Sequence, residues 1–194
     1  MLNKIASYLT RILQKNHIIQ EEFFDVYVYG FELLLSSLFS TTVIILAGLC
    51  MHRVLETIVF LLVFILLRSY SGGYHATKFS LCTITTFCVY AIVMVFSFFL
   101  VVNLLAFAIL GGVGLALLCV FAPIENPNKE LSTKRKRIYK VVSIIIFLGF
   151  DVFGILTMSQ HPTISSVAFY ALSTDLLLMI PGILKKGAKS DEIL

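Results

Sequence analysis

After its first thirty residues, the sequence alternates long apolar runs with short polar segments. The apolar runs cover residues 31–50, 54–67, 79–102, 104–122, 138–158 and 163–184. A membrane-spanning helix uses about 20 predominantly apolar residues, so these runs predict an all-α protein with about six transmembrane helices. The second run is short, but it becomes a span if the helix continues to Tyr70 and the Arg68 side chain snorkels outward.

A turn is required within residues 79–124, which carry no charge before Glu125 and are too long for one helix. We place this turn at Asn103, the one strongly polar side chain in the middle of the stretch. The closely spaced glycines of residues 111–114 are the rival break point, because glycine lowers helix stability. Elsewhere such glycines let helix backbones approach one another.

The first thirty residues have a different pattern. Ile5, Leu9, Ile12 and Leu13 recur at helical spacing among charged residues, which is typical of an amphipathic helix. We therefore expect residues 1–30 to form a helix that lies on the membrane surface. A soluble leading helix packed on the loops is the alternative.

Composition restricts the class of protein. Hydrophobic residues make up 59% of the 194 residues and charged residues 13%, whereas soluble domains run at about 45–50% and about 25%. This balance excludes a soluble enzyme, a disordered chain and a disulfide-stapled secreted domain. Lys and Arg collect in cytoplasmic loops, and six spans with both termini in the cytoplasm leave Arg53 as the one basic residue outside.

These patterns together predict a single integral domain of the cell membrane over residues 1–194. Its expected parts are an interfacial helix at 1–30, a transmembrane bundle at 31–184, cytoplasmic loops at 68–82 and 123–140, and a cytoplasmic tail at 185–194.

Candidate chemistry is concentrated in residues 68–82. A thiol needs a base to become a good nucleophile, and His75 and Cys82 supply both groups on the predicted cytoplasmic side. In one continuous helix they would lie about 10.5 Å apart along the axis, too far for a hydrogen bond. Gly72 and Gly73 break the helix and let His75 fold back over the start of the next one. A cysteine in a membrane helix is usually a packing residue, so the residues alone leave that role open.

Two short segments between the apolar runs carry the distinctive residues, and we call them the polar strings. The first contains Arg68, Gly72, Gly73, His75, Ala76 and Cys82, and the second is Ala122-Pro-Ile-Glu-Asn-Pro-Asn-Lys129. In their order, spacing and setting they resemble the accessory gene regulator protein B family, the membrane cysteine endopeptidases of Gram-positive quorum sensing. The resemblance covers nearly the whole chain.

The resemblance implies a specific reaction. Cys82 would attack a peptide bond of a short amphipathic AgrD-type propeptide, and His75 would act as base and then as acid. The resulting thioester would be displaced by a cysteine or serine of the precursor, which closes a thiolactone or lactone ring. Arg68, Gly72 and Gly73 are carried over as supporting residues, and no Asn or Asp near His75 in the sequence could orient it.

A basic segment follows the second string, and it includes Lys129, Lys134 and Arg135. Its charge satisfies the topological rule and suits contact with anionic lipids. It could also dock the acidic tail of a precursor. The other expected partners are membrane lipids and a second copy of the chain in a homodimer, and no nucleic acid is expected.

Asp151 and Asp175 lie inside the last two spans, where ionisable residues commonly mark function. They support the rival hypothesis of a small transporter or peptide-export subunit. They could also orient His75 or pair with Ser, Thr or Lys140. A non-catalytic scaffold and an acyl-transfer enzyme acting on lipid or protein are further alternatives. The topology separates the histidines, so neither zinc nor any cofactor is expected.

Overall fold

Helices account for nearly all of the described chain. The computed structural model describes residues 2–72, 79–124 and 132–191, with side chains at 3–72, 83–124 and 132–182. These residues contain no β-strand, which confirms the predicted all-α class. The helices are α1 (Leu2–Lys15), α2 (Phe24–Cys50), α3 (Val54–Ser71), α4 (Phe79–Phe99), α5 (Leu104–Phe121), α6 (Thr133–Thr157) and α7 (Pro162–Asp191), with a 3-10 turn at Glu21–Phe23 before α2.

Five helical segments are long and apolar enough to cross a membrane, which supports a multi-pass membrane protein. They are Glu21–Cys50, Val54–Ser71, Leu104–Phe121, Thr133–Thr157 and Pro162–Gly182. The described side chains of α4, from Thr83 to Phe99, form a shorter apolar segment. The sixth span and the orientation with both termini in the cytoplasm stay predictions.

The amino-terminal segment differs from the single helix expected over residues 1–30. Helix α1 ends at Lys15, and the chain turns at His17, whose φ is +55°. A left-handed residue of this kind terminates a helix. Helix α2 already begins at Phe24, so part of the expected surface helix belongs to the first span. Ala6 and Thr10 are fully buried on the face of α1 that packs against α2.

Helix α7 is the centre of the bundle. It packs against α3, α4, α5 and α6, and Val167, Ala168, Ala171 and Leu172 on it are completely buried. Small residues allow helix axes to come close where lipid provides no hydrophobic drive for association. The outward faces of the other helices carry exposed apolar side chains such as Leu105 and Leu156, as expected for surfaces in contact with lipid.

The turn between the third and fourth predicted spans is confirmed at Asn103. Helix α4 ends at Phe99 and α5 begins at Leu104. The Asn103 side-chain oxygen accepts a hydrogen bond of 2.9 Å from the backbone N–H of Ala106, which is the usual role of an N-cap residue. The rival break point at residues 111–114 lies inside α5, so that alternative is wrong.

Two further boundaries differ from the expected loops. Helix α6 begins at Thr133, so much of the basic segment assigned to a loop at 123–140 is helical. Helix α7 continues to Asp191 and therefore includes most of the tail expected at 185–194. In both places the helix continues past the apolar run, because charged residues such as Lys and Arg are good helix formers.

Glycine at position 114 allows α5 and α6 to pack closely, and this contact gives the first prediction. A Cβ atom at Gly114 would overlap the Phe147 ring, which is completely buried and cannot move aside. Gly114→Ala should therefore destabilise the protein by about 1–3 kcal/mol, the usual cost of overpacking. The measurement is the midpoint of thermal unfolding in detergent. Gly112→Ala is the matched control on the same helix, because nothing lies within 4 Å of its added methyl group; an equal loss in both variants would contradict this account.

Candidate functional site

The two polar strings singled out in the sequence meet at one end of the bundle. Gly72, which follows α3, pairs with Ile124, which follows α5, in an isolated parallel β-bridge. The Ile124 N–H donates a hydrogen bond of 2.9 Å to the Ser71 carbonyl. The rings of Tyr70 and Tyr139 are in edge contact, with centroids 5.4 Å apart, and they join α3 to α6. We call the region around these five residues the loop end of the bundle.

Gly72 is the residue on which this junction depends. Its φ is +74° and its ψ is −164°, a region that only glycine enters readily. A Cβ atom there would also collide with the Ile124 carbonyl oxygen. Position 72 therefore requires glycine for its conformation and for the approach of a second chain segment.

The predicted helix break between His75 and Cys82 is present. Helix α3 ends at Ser71 and α4 begins at Phe79, so the two residues do not share a continuous helix. Cys82 is the fourth residue of α4 and belongs to its first turn. Gly73 and His75 lie outside the described residues, as does the side chain of Cys82. The pairing of the imidazole with the thiol stays a prediction.

The start of α4 is held deep against α2. The Ser40 hydroxyl donates a hydrogen bond of 3.0 Å to Thr83 Oγ1, directly after Cys82 in the chain. Ser40 is nine residues beyond the start of the apolar run at residue 31, about 14 Å along the helix. The first turn of α4 is thus recessed into the apolar length of the bundle.

Arg68 does not extend outward as expected. Its guanidinium carbon lies 5.5 Å from the centroid of the Phe64 ring, one turn back along α3. Phe64 is itself buried. Long side chains on helices lean toward the amino terminus, and an aromatic face attracts a guanidinium. The charge of Arg68 therefore points into the bundle, and the prediction of outward snorkelling is wrong.

Two buried carboxylates lie in the bundle. Asp175 on α7 is 2% exposed and Asp151 on α6 is 7% exposed. Within the described residues, neither carboxylate oxygen of Asp175 has a hydrogen-bond partner, and Oδ1 of Asp151 has none either. The expected pairing with Ser, Thr or Lys140 is not observed there. Asp175 lies on α7, which packs against α3, the helix that carries Arg68.

Sequence reasoning did not connect Asp175 with Arg68, although their positions contain the signal. Arg68 is fourteen residues into α3 and Asp175 is thirteen residues into α7. If both helices begin at the same face of the membrane, both residues lie about 20 Å deep. Asp151 is six residues before the end of α6, which joins α7, so it lies near the opposite end of the bundle.

Two basic residues at the loop end lie on α6. Lys134 and Arg135 are exposed on its first turn, and the contact between Tyr70 and Tyr139 joins this helix to α3 near Gly72. Lys129 lies outside the described residues. Over the described part of the chain, no group of three or more His, Cys, Asp or Glu side chains could hold a metal ion.

The geometry at position 72 gives the second prediction. Gly72→Ala should destabilise the protein by about 1–3 kcal/mol, because alanine is strained at this backbone conformation and would push against Ile124. Thermal unfolding in detergent measures the effect. Gly30→Ala is the control, since its methyl group would meet nothing within 4 Å. Equal stability of the Gly72→Ala variant and the parent would show that the junction is not as described.

Relatives of the chain share most of its length. It is 28% identical over 159 residues to a putative AgrB-like protein 2 of Clostridium perfringens strain 13, with 75% of this chain and 70% of the relative covered. A putative AgrB-like protein of C. perfringens strain SM101 is 29% identical, with the same coverage. The accessory gene regulator protein B of Staphylococcus saprophyticus is 26% identical over 147 residues, covering 76% of this chain and 77% of that protein.

No solved structure matches the chain. The model of the family described as accessory gene regulator B matches residues 3–180, a range that contains both polar strings, the junction at Gly72 and both buried aspartates. The chain therefore belongs to the accessory gene regulator B family, which takes part in quorum sensing.

Proposed function

We propose that the protein is a membrane cysteine endopeptidase that cleaves an AgrD-type propeptide and promotes its cyclisation through a thioester on Cys82. The observation that carries the proposal is the placement of the polar strings in a member of this family. Helix α3 ends at Ser71 and α4 begins at Phe79, so in the sequence His75 falls between two helices and Cys82 falls on the first turn of the second.

The position of Cys82 suits a nucleophile. The amino terminus of a helix carries partial positive charge and favours a thiolate over a thiol. The inward-turned guanidinium of Arg68 adds positive charge in the same part of the bundle. The first backbone N–H groups of α4 have no partner within the helix, and they are candidate donors to the oxyanion that forms on the attacked carbonyl.

The reaction divides into two acyl transfers. In the first, His75 accepts the Cys82 proton, the sulfur bonds to the scissile carbonyl carbon, and the peptide C–N bond breaks. His75 then returns the proton to the leaving amine, which departs with the acidic carboxy-terminal part of the precursor. In the second, a thiol or hydroxyl within the bound peptide attacks the thioester and its proton passes to the Cys82 sulfur, which leaves a ring and free enzyme.

Cyclisation requires the thioester to survive until the internal nucleophile reaches it. Exchange of one thioester for another is close to isoenergetic, whereas hydrolysis by water would release a linear product. The hydrogen bond from Ser40 to Thr83 holds the start of α4 within the apolar length of α2. A recessed acyl-enzyme of this kind is shielded from water.

The exposed cations Lys134 and Arg135, together with Lys129, are our candidates for docking the acidic end of the precursor. They belong to the segment that joins the loop end, so a peptide held there would approach Cys82 from the membrane surface. Membrane lipids would share this surface, and a homodimer remains part of the proposal. The site would face the cytoplasm of the cell.

A transport function is the second candidate, because buried carboxylates without hydrogen-bond partners are typical of ion and proton pathways. Asp151 and Asp175 meet that description among the described residues. A transporter would lose substrate movement in Asp151→Asn and Asp175→Asn, and it would tolerate Cys82→Ala.

The peptidase proposal predicts loss of cleavage on removal of either catalytic group. Cys82→Ala and His75→Ala should each lower the rate of precursor cleavage by about 10³-fold or more, because the two groups act as a unit. The assay is co-expression with an AgrD-type precursor in a heterologous host, followed by precursor size on gels. Cys88→Ala is the matched control, an exposed cysteine on the same helix. Equal cleavage by all variants would refute the site.

The docking proposal predicts a charge-dependent effect on cleavage. Reversing Lys134 and Arg135 to Glu should slow cleavage about tenfold while membrane abundance stays unchanged, because an acidic tail would then be repelled. Reversal of Lys4 and Arg11, two exposed cations on α1, is the control with the same change in net charge. If both reversals slow cleavage equally, specific docking at α6 is wrong.

A further inference from the structure

Asp175 is the most deeply buried carboxylate that the structure describes. It is 2% exposed on the central helix α7, and neither carboxylate oxygen accepts a hydrogen bond from a described residue. Burying a carboxylate without compensation costs several kcal/mol. A packing role alone would be served better by leucine or asparagine, so this carboxylate calls for an electrostatic explanation.

Arg68 is the cation that we pair with the Asp175 carboxylate. Charged side chains on the neighbouring helices are few: α4 and α5 have none, α3 has Glu56 and Arg68, and α6 has Lys134, Arg135, Lys136, Arg137, Lys140 and Asp151. Arg68 is the one cation on α3, the helix that packs against α7, and it lies at about the depth of Asp175 if both helices begin at the same face of the membrane. Its guanidinium lies over the Phe64 ring rather than at the loop end, which is the direction in which a buried anion would draw it.

The same depth contains the first turn of α4. Tyr90 of α4 touches Thr57 of α3, with their hydroxyl oxygens 2.8 Å apart. Thr83 on α4 and Phe64 on α3 each lie seven residues from this contact toward the loop end, about 10.5 Å along the helix. Cys82, one residue before Thr83, is thus at about the depth of the Arg68 guanidinium. Helix α7 packs against both α3 and α4, so Asp175 lies on the element between them.

We propose that Asp175 is a positioning residue that holds the Arg68 guanidinium inside the bundle, at the depth of Cys82, where its charge supports the thiolate. The inference rests on the proposed function for the role of Cys82. In this proposal Asp175 acts through Arg68 and not by contact with the thiol or the substrate. Without the carboxylate, the long Arg68 side chain would extend to the polar surface, as such side chains do near the ends of membrane helices.

The experiment measures the reactivity of Cys82 directly. The full chain is kept in membranes, with Cys50, Cys88 and Cys119 replaced by alanine, and alkylation of Cys82 by a small maleimide is followed across pH. Only the thiolate reacts, so the rate at neutral pH reports the thiolate fraction, while the plateau at high pH reports access of the reagent. The variants are Asp175→Asn, Asp175→Glu, Arg68→Gln and, as a buried control near the other end of the bundle, Asp151→Asn.

We expect Asp175→Asn and Arg68→Gln to lower the rate at neutral pH about tenfold, which corresponds to a loss of one favourable neighbouring charge. Their plateau rates should equal that of the parent. Asp175→Glu should preserve the parental rate because it keeps the charge, and Asp151→Asn should do the same because it lies far from the site. Asparagine has almost the shape of aspartate, so a role in packing alone would leave Asp175→Asn unchanged.

Two results would overturn the proposal. One is an unchanged rate in Asp175→Asn; the other is a faster rate, which would mean that the carboxylate opposes the thiolate directly. If Asp175→Asn does not accumulate in membranes, Asp175→Glu and Arg68→Gln decide: a tenfold loss in the glutamate variant, or no loss in the Arg68 variant, overturns it.

Precursor cleavage is measured separately on the same membranes, because alkylation needs no precursor. A shift in alkylation without cleavage by the parent would refute the peptidase and leave the role of Asp175 standing. Cleavage by the parent together with an unchanged alkylation rate in Asp175→Asn would support the peptidase and overturn the role of Asp175.

Discussion

Close packing around α7 is the constraint on which the rest of the structure depends. In lipid there is no hydrophobic drive to bring helices together, so association rests on shape and on a few polar contacts. Helix α7 presents alanines and serines to its neighbours, and Ser165 and Ser166 bond to Gly154 and Val102 at one end of the bundle. Aromatic rings pack against glycines on the other helices: Phe107 packs against Gly154, and Phe147 packs against Gly114.

That packing fixes the places where the chain can be irregular. With α3, α5 and α6 held side by side, their ends at the loop end are brought into contact, and Gly72 pairs with Ile124 there. The junction joins two residues that are 52 positions apart in the chain. A site assembled from both polar strings thus depends on a rigid bundle, while the chemistry we propose for it lies in the connections.

Local signals in the sequence were enough for several features. Helix α3 ends directly before Gly72, where expected, and Asn103 caps α5, because both effects act within a few residues of the position concerned. The first helix was predicted too long because nothing in the apolar periodicity marks the left-handed turn at His17. The direction of Arg68 was missed for a different reason: the Arg68 side chain turns back over the Phe64 ring, and the partner that we propose for it, Asp175, is more than one hundred residues away in the chain.

The relation between Arg68 and Asp175 also changes the meaning of the intramembrane charges. As isolated residues, two aspartates in a membrane favour a transport pathway. In the folded bundle they lie at different depths, and Asp175 is on the helix that packs against α3, which carries the arginine of the first polar string. In our proposal this aspartate and arginine serve a reaction at the depth of Cys82, which requires no path across the bundle.

The central claim is that Cys82 carries the peptide as a thioester, and the intact mass of the full-length protein after incubation with its precursor tests it most directly. The account predicts an added mass equal to the precursor without its carboxy-terminal part, located on Cys82 and removed by hydroxylamine, which cleaves thioesters. Precursor cleavage by a protein that never gains this mass, and that cleaves equally well as Cys82→Ala, would contradict it.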